Sequence, residues 1–135
     1  SSHEVWEYSH AKWRSLGAPP GFVYEIHGVD SGSIWAIGYR DWSHDGDFDT
    51  VMRYEPSTGW RRIEVPVGFD ADAIVGINPN LIWFLGKNSA TRWSPGGFDL
   101  RPLPFKRVHY MNATWVSPEG HLWLSGYSTV GRILD

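Results

Sequence analysis

Ile34-Trp35-Ala36-Ile37-Gly38 returns as Ile82-Trp83-Phe84-Leu85-Gly86, and again as Leu122-Trp123-Leu124-Ser125-Gly126. Each copy is a short, mainly apolar run with Trp at its second position and Gly at its fifth. Trp35 and Trp83 stand 48 residues apart, and Trp83 and Trp123 stand 40 apart. Strand-length runs recurring about every 40 residues are the sequence signature of a β-propeller blade, a four-stranded sheet that stacks on copies of itself.

Working outward from each copy gives the rest of a unit. In the first, residues 22–29 read as a strand, Ser31-Gly32-Ser33 turns the chain, and the strand at 34–38 follows. Residues 50–54 read as a third strand, Pro56-Ser57-Thr58-Gly59 as a turn, and 60–66 as the fourth strand. The second unit repeats this with strands at 72–77, 82–86, 90–93 and 98–104, turning at Pro79-Asn80 and Pro95-Gly96-Gly97. The third has strands at 108–116, 122–126 and 129–134, with a turn at Pro118-Glu119-Gly120. Two further strands, 4–9 and 12–16, precede the breaker Gly17-Ala18-Pro19-Pro20-Gly21. With strands labelled A to D from the axis outwards, the order is CD, ABCD, ABCD, ABC. The expected fold is therefore all-β: one propeller array over 1–135, with antiparallel four-stranded units at about 21–66, 67–105 and 106–135 and N-terminal strands within 4–19.

Several positions align in this register. Tyr8, Tyr54, Trp93 and Ile133 share one place on the C strand, preceded by Glu7, Arg53, Arg92 and Arg132. Trp13, Trp60 and Phe98 open the D strands, and Pro19, Pro66 and Pro104 each lie six residues later. Trp at one strand position in every unit is a packing choice, so Trp35, Trp83 and Trp123 are expected between blades rather than under a ligand. The three arginines are expected to pair with a carboxylate or to stack on a neighbouring ring. Glu7 suits a charge partner across a ring closure. Propellers close with about four to eight blades. Three units are too few, so the array either continues in a longer chain or pairs with a second copy as half of a six-blade ring.

Composition narrows the function classes. A chain of 135 residues fits one domain, and 41% apolar content is enough for a core. A net charge of −3 and scattered arginines argue against a nucleic-acid partner, which needs a basic face. There is no Cys, which excludes disulfides, thiolate metal sites and Cys nucleophiles. No apolar run approaches the roughly 18 residues of a membrane-spanning helix. Lack of Cys fits an intracellular or a bacterial secreted protein, so the compartment stays open, with an extracellular or cell-surface setting slightly favoured.

The unit Trp13-x-x-Leu16, a strand ending in Gly28, Ile34-Trp35-Ala36-Ile37-Gly38, then Arg53-Tyr54 and Trp60, resembles the tectonin-type repeat. It is also similar to tryptophan-rich propeller repeats of bacterial surface proteins. Ser117-Pro118-Glu119-Gly120-His121-Leu122-Trp123 with Val130-Gly131-Arg132-Ile133 is similar to streptogramin-lyase-like repeats. The first resemblance implies a propeller that binds glycans. The last implies a metal-assisted lyase, but that family's catalytic residues match no positions here.

The segment 39–49, between strands B and C, is the one stretch that the repeat leaves unexplained. Loops of this kind carry function. Tyr39, Arg40, Asp41, Trp42 and His44 are candidate ligand-binding residues, with Trp115 as a rim aromatic; a sugar's apolar face stacks on a ring while carboxylates take its hydroxyls. Asp45, Asp47 and Asp49 alternate like the first ligands of a calcium loop. An EF-hand is excluded, because Thr50 stands where Gly is needed and Pro56 where Glu is needed. A looser calcium site or a solvated acidic loop remains, and no other cofactor is expected. His27, His109 and His121 have no metal-ligand spacing. The chain has no GxSxG, HExxH or phosphate loop. These readings favour a non-enzymatic binding module for a glycan. A protein-interaction or structural propeller segment is the alternative, and a metal-dependent lyase is third.

Overall fold

Thirteen strands and no helix make up the described residues of the computed structural model, which are 4–30, 32–39, 49–105, 114–125 and 130–133. They form four antiparallel sheets in which sequence neighbours are always spatial neighbours. β1 (Trp6–Ser9) pairs with β2 (Lys12–Ser15). β3 (Phe22–Asp30), β4 (Ser33–Tyr39), β5 (Thr50–Glu55) and β6 (Gly59–Ile63) form a four-stranded sheet. β7 (Ala73–Asn78), β8 (Leu81–Leu85), β9 (Ser89–Ser94) and β10 (Gly97–Pro102) form another. β11 (Thr114–Val116), β12 (Leu122–Ser125) and β13 (Val130–Ile133) form the last. The count of two, four, four and three matches the expected grouping. No closed ring of sheets appears among the described residues. The strands expected at 60–66 and 98–104 leave their ladders early, at Ile63 and Pro102. Each segment ends in a proline, which has no N–H to give a ladder. Of the strand expected at 108–116, residues 108–113 lie outside the described residues.

The register explains the repeated residue types. Tyr8 faces Trp13, Tyr54 faces Trp60, and Trp93 faces Phe98, so each aligned C-strand aromatic has the aligned D-strand aromatic directly across from it. Trp35 faces Arg53, Trp83 faces Arg92, and Trp123 faces Arg132. Successive residues point to opposite faces of a sheet. Each unit therefore has one face built on a Trp and Arg pair and an opposite face built on an aromatic or aliphatic pair.

The glycine that closes each of the first two repeated runs answers a crossing of backbones. A Cβ on Gly38 would overlap the Phe22 carbonyl, and one on Gly86 would overlap Asp70. Asp70 anchors the same corner. Its carboxylate accepts the Lys87 backbone N–H at 3.0 Å and the Ser89 hydroxyl at 2.9 Å.

Packing runs from unit to unit. One core joins Trp35, Ile37 and Val51 of the first four-stranded sheet to Ile74, Ile82 and Phe84 of the next. Phe69, in the connection between them, fills the junction, with its ring 5.8 Å from Phe84 and 6.3 Å from Phe98. A second core joins Trp83, Leu85 and Ala90 to Val116, Leu122 and Leu124 of the last sheet. Near the inner strands, His27 Nε2 lies 3.1 Å from the Gly76 carbonyl, a hydrogen bond between neighbouring sheets.

The β1–β2 pair is held differently. Its turn places His10 and Ala11 at φ of 50° and 61°. This left-handed geometry suits a two-residue hairpin and favours Gly or Asn over the residues present. Glu7 accepts a hydrogen bond from Arg14 Nη2 at 2.7 Å, and that bond holds the Glu7 carboxyl below its ordinary value. Glu7 thus finds its charge partner within its own strand pair, not across a ring closure. A lowered folded-state value means that the contribution is present above the unfolded value and is lost as pH falls through the folded one. Acidifying from about pH 6 to about pH 3 is expected to loosen β1–β2, read as a change in the ring-current shifts of Tyr8 and Trp13. Glu7→Gln should remove the response. A response that survives it would assign the effect to another group.

Candidate functional site at the open end of the array

The interior junctions show what the Trp and Arg face is for. Trp35 is fully buried, with its ring 4.7 Å from Trp93 and 5.6 Å from Phe84 of the next sheet. The Arg53 guanidinium lies 4.9 Å from the Trp35 centroid and 4.8 Å from that of Trp93. It is held between two rings, and its Nη2 also pairs with Glu55 at 3.2 Å. At the second junction Trp83 is again fully buried, with Arg101 6.0 Å from its ring centroid. Arg92 and Arg101 both reach Asp99, at 3.8 and 2.9 Å. The expected packing role of Trp35 and Trp83 and the stacked or paired role of the arginines are what these two junctions display.

The third copy of the motif has no fourth sheet against it among the described residues. Trp123 is only partly buried, and its cross-strand partner Trp115 is 56% exposed. Their centroids are 6.5 Å apart and their planes are inclined by 36°. Arg132 lies 5.1 Å from the Trp123 ring and is exposed. Two indole faces and a cation are thus gathered on one open surface. Such a surface can stack on a planar or apolar partner while offering N–H donors at its edge.

At the other end of the stack Trp6, Tyr8 and Trp13 are 52%, 60% and 67% exposed. Tyr8 and Trp13 are in ring contact at 5.1 Å. Behind them an open groove of about 400 Å³ separates β1 from β3 and β4, lined by Val5, Trp6, Leu16, Ile26, Val29 and Ile34 among others.

Of the residues singled out in the sequence, Trp115 stands on the open surface just described. Tyr39 ends β4, half-buried and paired with Phe22. It lies near Tyr24, whose hydroxyl is pushed above its ordinary value by burial and by Asp72, Glu25 and Tyr39 around it. Asp49 is exposed, and its carboxylate accepts the Thr50 hydroxyl at 3.0 Å. Arg40, Asp41, Trp42, His44, Asp45 and Asp47 lie outside the described residues, as does His109. His27 bonds to the neighbouring sheet, and His121 sits at the turn before β12, where its N–H donates to Ser117 Oγ at 3.2 Å. Among the described residues no group of three His, Asp or Glu is placed to hold a metal ion. Sequence reasoning did not single out Trp123 and Arg132 as open, nor Tyr8 and Trp13, because their motif positions match those of buried residues.

Comparison with protein-family models, with curated proteins and with solved structures found no match to this chain.

Proposed function

We propose that the chain is a non-enzymatic binding module, a segment of a β-propeller whose open end docks another protein. One observation carries this reading. The Trp123 face stands open, while its two repeat equivalents, Trp35 and Trp83, are completely covered by a neighbouring sheet. A surface with the composition of an internal junction is apolar enough to favour a protein partner over water. The propeller assignment is supported by the repeat period, the four-stranded units and the face-to-face packing from unit to unit. A ring needs about four to eight blades, so further units of the same kind are the natural partner for the open face.

A second reading, carbohydrate binding, is favoured by Trp115 in particular. Its half-exposed ring beside Trp123 and Arg132 offers an aromatic platform and N–H donors to a sugar. Sedimentation across a concentration series and a glycan array, each on the wild-type chain and on Trp115→Ser/Trp123→Ser, separate the two. Protein docking predicts a wild-type mass above 15.4 kDa that the double variant loses, and no tryptophan-dependent glycan signal. A glycan set bound by the wild type and lost in the variant, with mass constant at 15.4 kDa, would replace protein docking with carbohydrate recognition.

A further inference from the structure

We propose that the Trp115, Trp123 and Arg132 face of one copy docks on the β1–β2 strand pair of a second copy, with Arg132 entering between Trp123 and the Tyr8–Trp13 pair. The inference rests on the protein-docking reading above and names the partner.

The interior of the molecule supplies the template. Where the first four-stranded sheet meets the next, Arg53 lies between Trp35 on its own sheet and Trp93 on the neighbour. Trp93 is the C-strand aromatic, and Phe98 lies directly across from it. The receiving half of the junction is therefore a C–D strand pair carrying two facing aromatics, and the donating half is a Trp with an Arg above it.

The described residues carry one further, uncovered example of each half. The donating half is Trp123 with Arg132 at 5.1 Å. The receiving half is β1–β2, where Tyr8 and Trp13 face each other in the same register as Trp93 and Phe98. Tyr8 and Trp13 are 60% and 67% exposed, although paired aromatics in the interior are mostly covered. The opposite face of β1–β2 is already committed to the Glu7–Arg14 pair at 2.7 Å, so the aromatic face is the one left to dock.

The two halves do not meet among the described residues. Two complete four-stranded sheets stand between them in the stacking order, and among the described residues no contact joins β1 or β2 to β11, β12 or β13. The partner that supplies both the right rings and the right register is a second copy. The contact is head to tail. Such a contact closes into a ring when its rotation permits, and two copies then share two identical junctions. Chemistry favours the match, since a guanidinium between two aromatic faces is stabilised by both and loses little hydration.

The test uses the full chain and exposed positions, so that folding, followed by near-ultraviolet circular dichroism, is preserved. The receiving end is altered in Tyr8→Ser/Trp13→Ser and the donating end in Arg132→Glu. The wild type is expected at twice 15.4 kDa by light scattering, and each variant alone near 15.4 kDa. Each alteration should weaken association on the order of tenfold or more, since both junctions of a pair are affected. An equimolar mixture of the two variants should associate again, because one junction in each mixed pair is intact.

A Tyr8→Ser/Trp13→Ser chain that dimerises like the wild type overturns β1–β2 as the occupant and leaves the docking face standing. A mixture that stays monomeric while the wild type dimerises overturns the head-to-tail geometry. An Arg132→Glu chain that dimerises like the wild type, or a wild type that stays at 15.4 kDa, overturns the docking face together with its occupant.

Discussion

Trp35→Ala is expected to remove about 3–5 kcal/mol of folding stability, a large share of what the chain has. Trp35 is fully buried and reaches Phe84, Trp93 and Arg53 at once. Truncating a buried Trp removes its transfer free energy and leaves a cavity, about 3–5 kcal/mol in all. A domain of this size has about 5–15 kcal/mol to lose. The variant also strips one wall from the Arg53 guanidinium and leaves a charge facing an apolar void. Urea unfolding followed by far-ultraviolet circular dichroism measures the loss. Trp35→Phe should cost less than half as much, because the indole Nε1 has no acceptor among the described residues. If Trp35→Ala shifted the midpoint by under about 1 kcal/mol, the junction would not depend on this ring.

The second large effect is expected from Gly38→Ala. A methyl group here would overlap the Phe22 carbonyl, and a Cβ on Gly21 would press on the Tyr39 carbonyl at the same crossing. Both obstacles are backbone, so no side-chain rotation relieves them. Overpacking typically costs about 1–3 kcal/mol, and a clash with a fixed carbonyl belongs at or above the top of that range. The ladder must also separate locally, because Gly38 pairs with both Val23 and Thr50. Gly28→Ala is the control. Its added methyl would meet only Ile34 Cγ1 at 3.9 Å, an ordinary contact, and it should unfold within about 1 kcal/mol of the wild type. Equal midpoints for the two variants would show that the crossing relaxes freely.

Much of this was legible in the sequence, because the repeat reports on itself. Arg53, Arg92 and Arg132 each lie across from the repeated Trp, and each aligned aromatic pair is a cross-strand pair. A one-residue error would have thrown these residues onto opposite faces. What stayed hidden is context. Trp83 and Trp123 occupy the same motif position, yet one is sealed and the other open, since exposure depends on whether a neighbouring sheet follows. Phe69 was equally hidden. It lies in a connection outside every strand, and only the approach of two sheets gives it a place. The calcium and sugar expectations rested mainly on residues 40–48, outside the described residues, so the open end surface took their place as the candidate site.

β4 and β8, in the two inner sheets, each have both faces sealed over four consecutive residues, 35–38 and 82–85, whereas exposure alternates along β12 and along β1. An array of this kind grows when a gene segment is duplicated. Each copy that lands in the interior inherits two neighbours, and four consecutive residues lose the freedom to drift. The copies at the margins keep one unconstrained side. New surface chemistry therefore has its widest room at the two ends of the stack, and β4 and β8 are where the repeated unit has least freedom to change.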